Sequence, residues 1–494
     1  MKSTLPYKIL RWVRQDIFVL LCSAGIALWW LICHFIQPTV PIFINEAQPA
    51  YLPIVGVISL CFLALPAVVY LCKKDFRALR WQEQLQSIGI VLMLSTIVFR
   101  PSVYLHVQIV FFTFTAVAFF FDKKKKWQTQ PLFYYACWLY VIWLAVSMLW
   151  THHNTEAARY LNRIIPLVSY SFCFAFIRLS NTNYRALIRV FWCVTCIACM
   201  LTIGSGIYEA QRMGFDFTEF IQFKKSLVNG QYVYDILYAW SGTGHPSYNA
   251  LWIMAGLACS FFLLDRRMIS TFDLLFSCLL MLFIVIITQS RVGSIMWSLI
   301  TLFGVIYVLR HKKYALWSTL IFLGIVSLAV GITQLDILRS IYADPTRAKL
   351  TQIAVDYLRI DPWKGCGLGG MTYEYLESVI GYEFKSWWPQ YDSPTMYPHN
   401  QFLGDWMQSG IVGLVLSLAV VICGFYDAIR QHNYIGVAYL TAVFFFMLIE
   451  MPFHFLGGST IISYFLCFIL SYRAVPTTDI TQGKTPYDSA TRTR

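Results

Sequence analysis

Charged residues are scarce in this sequence: Asp, Glu, Lys and Arg make up only 13% of 494 residues, about half their share in soluble globular domains. Residues with hydrophobic side chains make up 58%, and apolar runs of roughly 20 residues, enough to cross a ~30 Å hydrocarbon core, recur from end to end. The runs lack the polar and apolar alternation of membrane barrel strands. The sequence therefore predicts an all-α polytopic membrane protein.

The formal net charge of +13 predicts topology rather than a nucleic-acid partner, because Lys and Arg cluster in short segments between apolar runs, such as Lys73 to Arg80 and Lys123 to Lys126. Short basic loops stay in the cytoplasm. With both termini in the cytoplasm, this rule predicts about 14 spans, with 12 or 13 as alternatives. The predicted spans are 16–36, 52–72, 85–100, 102–121, 131–150, 165–179, 188–207, 246–264, 272–290, 292–309, 314–333, 408–426, 434–450 and 459–472.

The predicted organisation is a single transmembrane helical domain over residues 1–474, followed by a disordered cytoplasmic tail at 475–494. Two segments on the outer side are too long to be simple turns: 208–245 and 334–401. Long loops inside compact domains are usually functional or disordered. In the second loop, apolar residues recur at helical spacing and predict a short amphipathic helix: Leu338, Ile341, Leu350, Ile353, Ala354, Tyr357 and Leu358.

Several kinds of site have little support. Cys193, Cys196 and Cys199 have a metal-like spacing, but they lie in an apolar run without charged neighbours, which favours packing. A carboxylate-rich metal site, a nucleotide-binding loop and a disulfide framework are all missing from the pattern. We therefore expect no metal and no cofactor, and a reaction that draws its energy from the substrate itself.

Two arginines are candidates for an anion site on the outer side. Arg291 lies at the tip of a predicted hairpin, Thr288-Gln289-Ser290-Arg291, where a charge is costly unless it is paired, bound to a ligand or near lipid phosphate. Arg347 opens the amphipathic helix of the large loop. Guanidinium groups can bind phosphate oxygens bidentately, although an interfacial or solvated arginine remains the alternative. Arg359 adds a further basic group to the loop.

His399 lies where the large loop re-enters the membrane. A neutral imidazole can accept a proton from a hydroxyl group, and the alternative is a histidine that merely begins a helix. His245 stands at the equivalent entry of the span at 246–264, with a weaker case. Glu450 lies at an outer helix end, and this position alone does not indicate a catalytic role.

These residues together resemble the O-antigen ligase and O-antigen polymerase superfamily. The resemblance covers about residues 240–420. It depends on Ser290-Arg291 in a membrane hairpin, Arg347, Asp361-Pro362-x-x-Gly365-x-Gly367, and His399-Asn400 followed nine residues later by Gly410-Ile411-Val412-Gly413. The last spacing is closest to the O-antigen ligases.

The resemblance implies an inverting, metal-independent glycosyltransferase of lipopolysaccharide biosynthesis in the bacterial inner membrane, with its active site facing the periplasm. The donor would be a glycan on undecaprenyl diphosphate, and the acceptor a sugar hydroxyl of lipid A-core. Arg291 and Arg347 would bind the diphosphate and His399 would activate the acceptor. His245 and Arg359 would be further substrate-binding residues.

Two alternatives stay open at this point. The first is an O-antigen polymerase or a protein O-oligosaccharyltransferase that uses the same residues with another acceptor. The second is a membrane transporter, which would need charged residues near the middle of the bilayer. The candidate charges gather instead at one membrane face.

Overall fold

A computed structural model describes residues 54–99, 101–122, 130–177, 179–212, 246–309, 345–371, 373–381 and 397–472, with 227–228, 231–232, 237–238, 241 and 324. Within these ranges the chain is helical apart from turns and one antiparallel pair of two-residue strands, β1 (Leu227–Val228) and β2 (Gln231–Tyr232). The predicted all-α polytopic membrane fold is confirmed.

Most described helices match the predicted spans to within a few residues, but the helices at the predicted spans 165–179, 188–207 and 408–426 begin seven to eleven residues earlier. Two predicted spans, 16–36 and 314–333, lie outside the described residues apart from residue 324. The helices are α1 (Ile54–Leu71), α2 (Lys74–Arg77), α3 (Trp81–Thr96), α4 (Pro101–Phe120), α5 (Leu132–Ser147), α6 (Asn154–Phe176), α7 (Asn181–Arg212), α8 (Pro246–Asp265), α9 (Thr271–Ile287), α10 (Arg291–Leu309), α11 (Pro345–Ile360), α12 (Tyr373–Ile380), α13 (Gln401–Arg430), α14 (Tyr434–Ile449) and α15 (Leu456–Leu470), with 3₁₀ turns at Met148–Trp150 and Pro452–His454.

Six of the described helices are long and apolar enough to cross a membrane by length and composition: α4, α5 with its 3₁₀ turn, α7, α8, α10 and α13. Helix α8 is the centre of the bundle, since nearly all of its residues are buried, and it packs against α7, α9, α10 and α14. Helix α5 shows the opposite pattern, with exposed apolar residues at helical spacing on one face: Leu132, Tyr135, Leu139, Ile142 and Val146. Such a stripe is typical of a lipid-facing surface.

One end of the bundle, here called the upper end, is where α8, α10 and α15 begin and α14 ends. A Cβ atom on Gly293 in α10 would lie 3.0 Å from Cβ of Ala250 in α8. The ring of Tyr248 in α8 lies 5.8 Å from the ring of Phe446 in α14 and 5.1 Å from that of Phe455, just before α15. These contacts bring the predicted hairpin tip to the same end as the C-terminus of α14.

The amphipathic loop helix is confirmed as α11. Leu350, Ile353, Ala354, Tyr357 and Leu358 are buried, as the periodicity predicts. Leu338 and Ile341 precede α11 and lie outside the described residues. The apolar face of α11 packs against α13 and α12, so the loop helix is docked on the bundle.

The glycine-rich segment after α11 docks into a break in α13. At this break Ser409 and Gly410 have non-helical backbone angles, with φ +68° at Gly410. Gly365 contacts the break so closely that a Cβ atom there would lie 2.7 Å from the Gly410 nitrogen. The Cys366 amide donates to the Met407 carbonyl at 3.0 Å, and burial raises the pKa of the Cys366 thiol. The glycines therefore serve close backbone packing.

Replacing Gly410 with Ala should lower the midpoint of thermal unfolding in detergent. The free energy of unfolding should fall by about 2 kcal/mol or more. A Cβ atom at Gly410 would overlap the Trp363 carbonyl oxygen, in addition to the strain of a positive φ. Gly381→Ala is the matched control, since Gly381 has φ +64° and nothing within 4 Å of the added atom. The Gly381→Ala substitution should lower the free energy of unfolding by about 1 kcal/mol. Equal shifts in the two variants would contradict the proposed close packing.

Candidate functional site

A cavity of about 180 Å³ lies at the upper end of the bundle. It is bounded by the first turns of α11, the segment that enters α13 and the last turn of α14. The lining residues are Arg347, Ala348, Thr351, Pro398, His399, Asn400, Leu403, Leu448 and Ile449. The structure therefore brings two residues that the sequence singled out, Arg347 and His399, to one cavity, although 52 positions separate them in the chain.

A single buried carboxylate joins these two residues. Glu450, only 5% exposed, accepts a hydrogen bond from Nη2 of Arg347 through Oε1 at 3.2 Å. Its other oxygen, Oε2, lies 3.3 Å from Nδ1 of His399. Nη1 of Arg347 also donates to the carbonyl oxygen of Ile449 at 3.0 Å. The result is an Arg–Glu–His arrangement in which Arg347 and His399 line the cavity wall and the buried Glu450 joins them from behind it.

The backbone at His399 is held in an unusual conformation. Its φ of +51° lies in the left-handed region, which non-glycine residues rarely adopt and which is often found at functional sites. The next residue, Asn400, fixes this geometry from both sides. Its Oδ1 accepts from the Leu403 amide at 3.0 Å and caps α13, while its Nδ2 donates to the Leu448 carbonyl at 3.2 Å. The start of α13 is therefore tied to the end of α14.

A buried polar cluster lies behind this wall and holds the turn that follows Glu450. Oε1 of Gln401 accepts from the Phe453 amide at 3.0 Å, and its Nε2 donates to Oδ1 of Asp405 at 2.9 Å. The Tyr140 hydroxyl of α5 donates to the same carboxylate oxygen at 2.8 Å. Three elements, α5, α13 and the 452–454 turn, are therefore fixed to one another.

Gln408 extends the cluster to the glycine-rich segment. Its Nε2 donates to Nε2 of His454 at 3.0 Å, and its Oε1 accepts from the Gly369 amide at 3.2 Å. Burial and, to a smaller extent, the nearby Arg163 together lower the pKa of His454 to about 3. His454 is therefore a neutral hydrogen-bond acceptor near neutral pH rather than a charged group.

The structure places Arg291 at the upper end but not on the cavity wall. Helix α9 ends at Ile287, Gln289 has φ +55°, and Arg291 begins α10 with an exposed side chain. The predicted hairpin is confirmed. Arg291 is thus a cation at the same end as Arg347 and His399.

Arg359 does not reach the cavity. It lies 12 residues after Arg347 on α11, which corresponds to about 18 Å along the helix. Its side chain is 77% exposed and pairs with Asp356 at 3.2 Å. A surface pair of this kind contributes little, so the geometry gives Arg359 no part in the site. His245 lies outside the described residues.

The sequence did not predict that Glu450 is the shared partner of Arg347 and His399. The available signal was a lone carboxylate at the end of an apolar run, directly before Met451-Pro452. An ionisable residue at such a depth is a candidate for function by default, with a partner to be named. Its partner could not be named from sequence, because Arg347 and His399 come from distant parts of the chain.

Comparison with known protein families supports the sequence resemblance. Residues 276–418 match the family model for O-antigen ligase. The match supports membership of the O-antigen ligase and polymerase superfamily and a glycosyltransferase-like function. It includes Arg291, Arg347 and His399, whereas Glu450 lies beyond its end. No curated protein matches the chain.

The Arg347–Glu450 contact should show energetic coupling in a double-mutant cycle. Glu450→Gln and Arg347→Met should each lower the thermal stability, because each leaves a partly buried group without its charged partner. The loss of stability in the double variant should be smaller than the sum of the two single losses by about 1–2 kcal/mol. The cycle is measured by thermal unfolding in detergent. Strictly additive losses would contradict a direct interaction.

Proposed function

We propose that the protein is an O-antigen ligase-like, inverting and metal-independent glycosyltransferase. It moves a glycan from undecaprenyl diphosphate to a sugar hydroxyl of lipid A-core at the periplasmic face of the inner membrane. The observation that carries the proposal is that the guanidinium of Arg347 and the imidazole of His399 line one cavity and share the buried carboxylate of Glu450. The family match supports the reaction class.

His399 is the base that activates the acceptor. With Nδ1–H donating to Glu450, the other ring nitrogen, Nε2, is left as the acceptor of a proton. As the acceptor oxygen attacks the anomeric carbon, its proton passes to Nε2. The bond from that carbon to the diphosphate oxygen breaks, and direct displacement inverts the configuration. Glu450 stabilises the imidazolium that forms, as a carboxylate does for a catalytic histidine.

Arg347 stabilises the leaving diphosphate. Its guanidinium has five N–H donors, and its hydrogen bonds to Ile449 and Glu450 use one on each terminal nitrogen. The residue lines the cavity, so its remaining donors are available to phosphate oxygens. Arg291 adds a second positive charge at the same end. Each charged hydrogen bond contributes about 1.5–3 kcal/mol. Such bonds stabilise the negative charge that develops on the leaving diphosphate without Mg²⁺.

The distribution of basic residues supports a periplasmic cavity. Helix α8 begins at the upper end and runs to Asp265, directly before Arg266 and Arg267. This basic loop therefore lies at the end of the bundle opposite the cavity. Because short basic loops remain in the cytoplasm, the upper end would face the periplasm.

Replacing His399 with Ala should reduce transfer by about 10²–10⁴-fold, the usual contribution of a general base. Transfer is measured with purified protein, a defined lipid-linked donor and lipid A-core in detergent. His432→Ala is the matched control, because His432 also has a left-handed backbone, with φ +52°, but is exposed at the lower end after α13. Near-normal transfer by the His399 variant would remove the base assignment.

The same assay identifies the acceptor. Transfer to lipid A-core is the outcome expected for a ligase. Extension of a second lipid-linked glycan, with none added to lipid A-core, would instead identify a polymerase. No transfer to either acceptor under conditions in which the protein remains folded would overturn the glycosyltransferase proposal.

Arg291 and Arg359 should differ in their effect on the donor. Arg291→Gln should raise the KM for the lipid-linked donor by about tenfold, because one charged contact to the diphosphate is lost. Arg359→Gln removes the same charge from a surface ion pair remote from the cavity and should leave KM and kcat unchanged. If the two variants behaved alike, Arg291 would have no specific place in the site.

A further inference from the structure

An exposed apolar patch lies at the upper end, where the turn that follows α11 meets the end of α5. Its large apolar side chains are Leu149 (84% exposed), Ile360 (60%) and Trp363 (74%). Lys364 joins the two segments, since its Nζ lies 5.8 Å from the ring centre of Trp150. We call Leu149, Ile360, Trp363 and Lys364 the Trp363 patch. Clustered apolar side chains that stay exposed usually mark an interaction surface.

The backbone of this turn is held against α13, whereas the Trp363 side chain points away from the protein. Nε1 of Trp406 donates to the Pro362 carbonyl oxygen at 2.8 Å. The Trp363 carbonyl oxygen packs against Gly410, where an added Cβ atom would overlap it. The Trp363 ring makes no hydrogen bond or ring contact within the part of the chain that the structure describes. The fold therefore presents a large apolar ring outward from a fixed turn.

The length of α13 places this turn at the surface of the membrane. Below its break, α13 runs to the exposed, basic Arg430 at the lower end. At 1.5 Å per residue, Gly410 lies about 30 Å from Arg430, which is the thickness of the hydrocarbon core. Because the Trp363 backbone touches Gly410, Trp363 lies where the hydrocarbon core meets the lipid headgroups.

Helix α5 rises to the same level beside α13. Near its lower end, the Phe133 amide donates to Oδ2 of Asp427 in the last turn of α13 at 2.7 Å. Near its upper end, Nε1 of Trp143 donates to the Ser409 carbonyl oxygen at the break at 3.0 Å. The exposed apolar stripe of α5 continues at helical spacing to Leu149. The Trp363 patch is therefore continuous with a lipid-facing surface.

The residue types around the turn are typical of a membrane–water interface. Four tryptophans lie there: Trp143, Trp150, Trp363 and Trp406. Tryptophan is enriched at such interfaces, where its apolar body meets acyl chains and its N–H meets polar groups. Lys364 is exposed, and no described carboxylate pairs with it. A lysine at this level can extend its ammonium group to lipid phosphates.

We infer that the Trp363 patch inserts into the headgroup region of the bilayer at the upper end. The occupant is lipid rather than a protein, because the patch continues the lipid-facing stripe of α5 at the depth where tryptophan and lysine meet headgroups. Arg347 ties the first turn of α11 to Glu450, and the patch ties the segment after its last turn to the membrane. Helix α11, and with it Arg347, is therefore held at both ends.

The depth of the patch is tested with the full chain in nanodiscs of phosphatidylcholine and phosphatidylglycerol. A fluorescent amino acid replaces Trp363 or, as the matched control, Leu139, which is exposed on the α5 stripe about 15 Å below Leu149. A nitroxide on the lipid headgroup should quench position 363 more strongly than one deep in the acyl chain, and the order should reverse at position 139. Quenching of position 363 by an aqueous nitroxide alone would overturn the inference. Quenching by none of the three would also overturn it, because a protein partner or a second copy would then cover the patch.

Variants test whether the patch holds α11. In the same nanodiscs, Trp363→Gln should raise the hydrogen-exchange rate of the α11 amides about tenfold, because the lost lipid contact frees one end of the helix. Trp363→Phe should restore slow exchange, since an apolar ring still inserts. Arg359→Gln is the matched control, because Arg359 is exposed on the last turn of α11 and forms only a surface pair. Unchanged exchange in Trp363→Gln would overturn the inference. Neither measurement involves glycan transfer, so both are independent of the proposed function.

Discussion

The candidate site depends on one interaction, the sharing of the buried Glu450 carboxylate between Arg347 and His399. Each oxygen of the carboxylate serves one partner. An isolated buried charge is costly, so Glu450 at 5% exposure requires the guanidinium beside it. The same contact draws α11, which carries Arg347, against the end of α14. Glu450 therefore contributes both to the position of the large loop and to the orientation of the imidazole.

Around this interaction, the bundle supplies rigidity from three directions. Asn400 links the beginning of α13 to the end of α14, the cluster of Gln401 and Asp405 holds the turn after Glu450, and the glycine-rich segment is locked into the break at Gly410. The glycines resemble a nucleotide-binding loop only in composition. In the fold they allow backbone to pack on backbone, and that packing fixes the loop that carries α11.

The arrangement suits a reaction between two lipid-bound molecules at a membrane surface. The cavity presents a guanidinium and an imidazole at one end of an apolar bundle, where lipid-linked substrates are confined to the same plane. The proposed chemistry needs only charge, proton transfer and proximity.

The sequence by itself determined the helical membrane fold, most span boundaries and the candidates Arg291, Arg347 and His399, because hydrophobic length, basic clusters and local motifs are encoded along the chain. Only the tertiary structure decided which candidates meet. It brought Arg347 to His399, left Arg359 about 18 Å along its helix from Arg347, and revealed Glu450 as a polar group with specific partners. Such contacts depend on helix packing between residues far apart in sequence, and no local pattern records them.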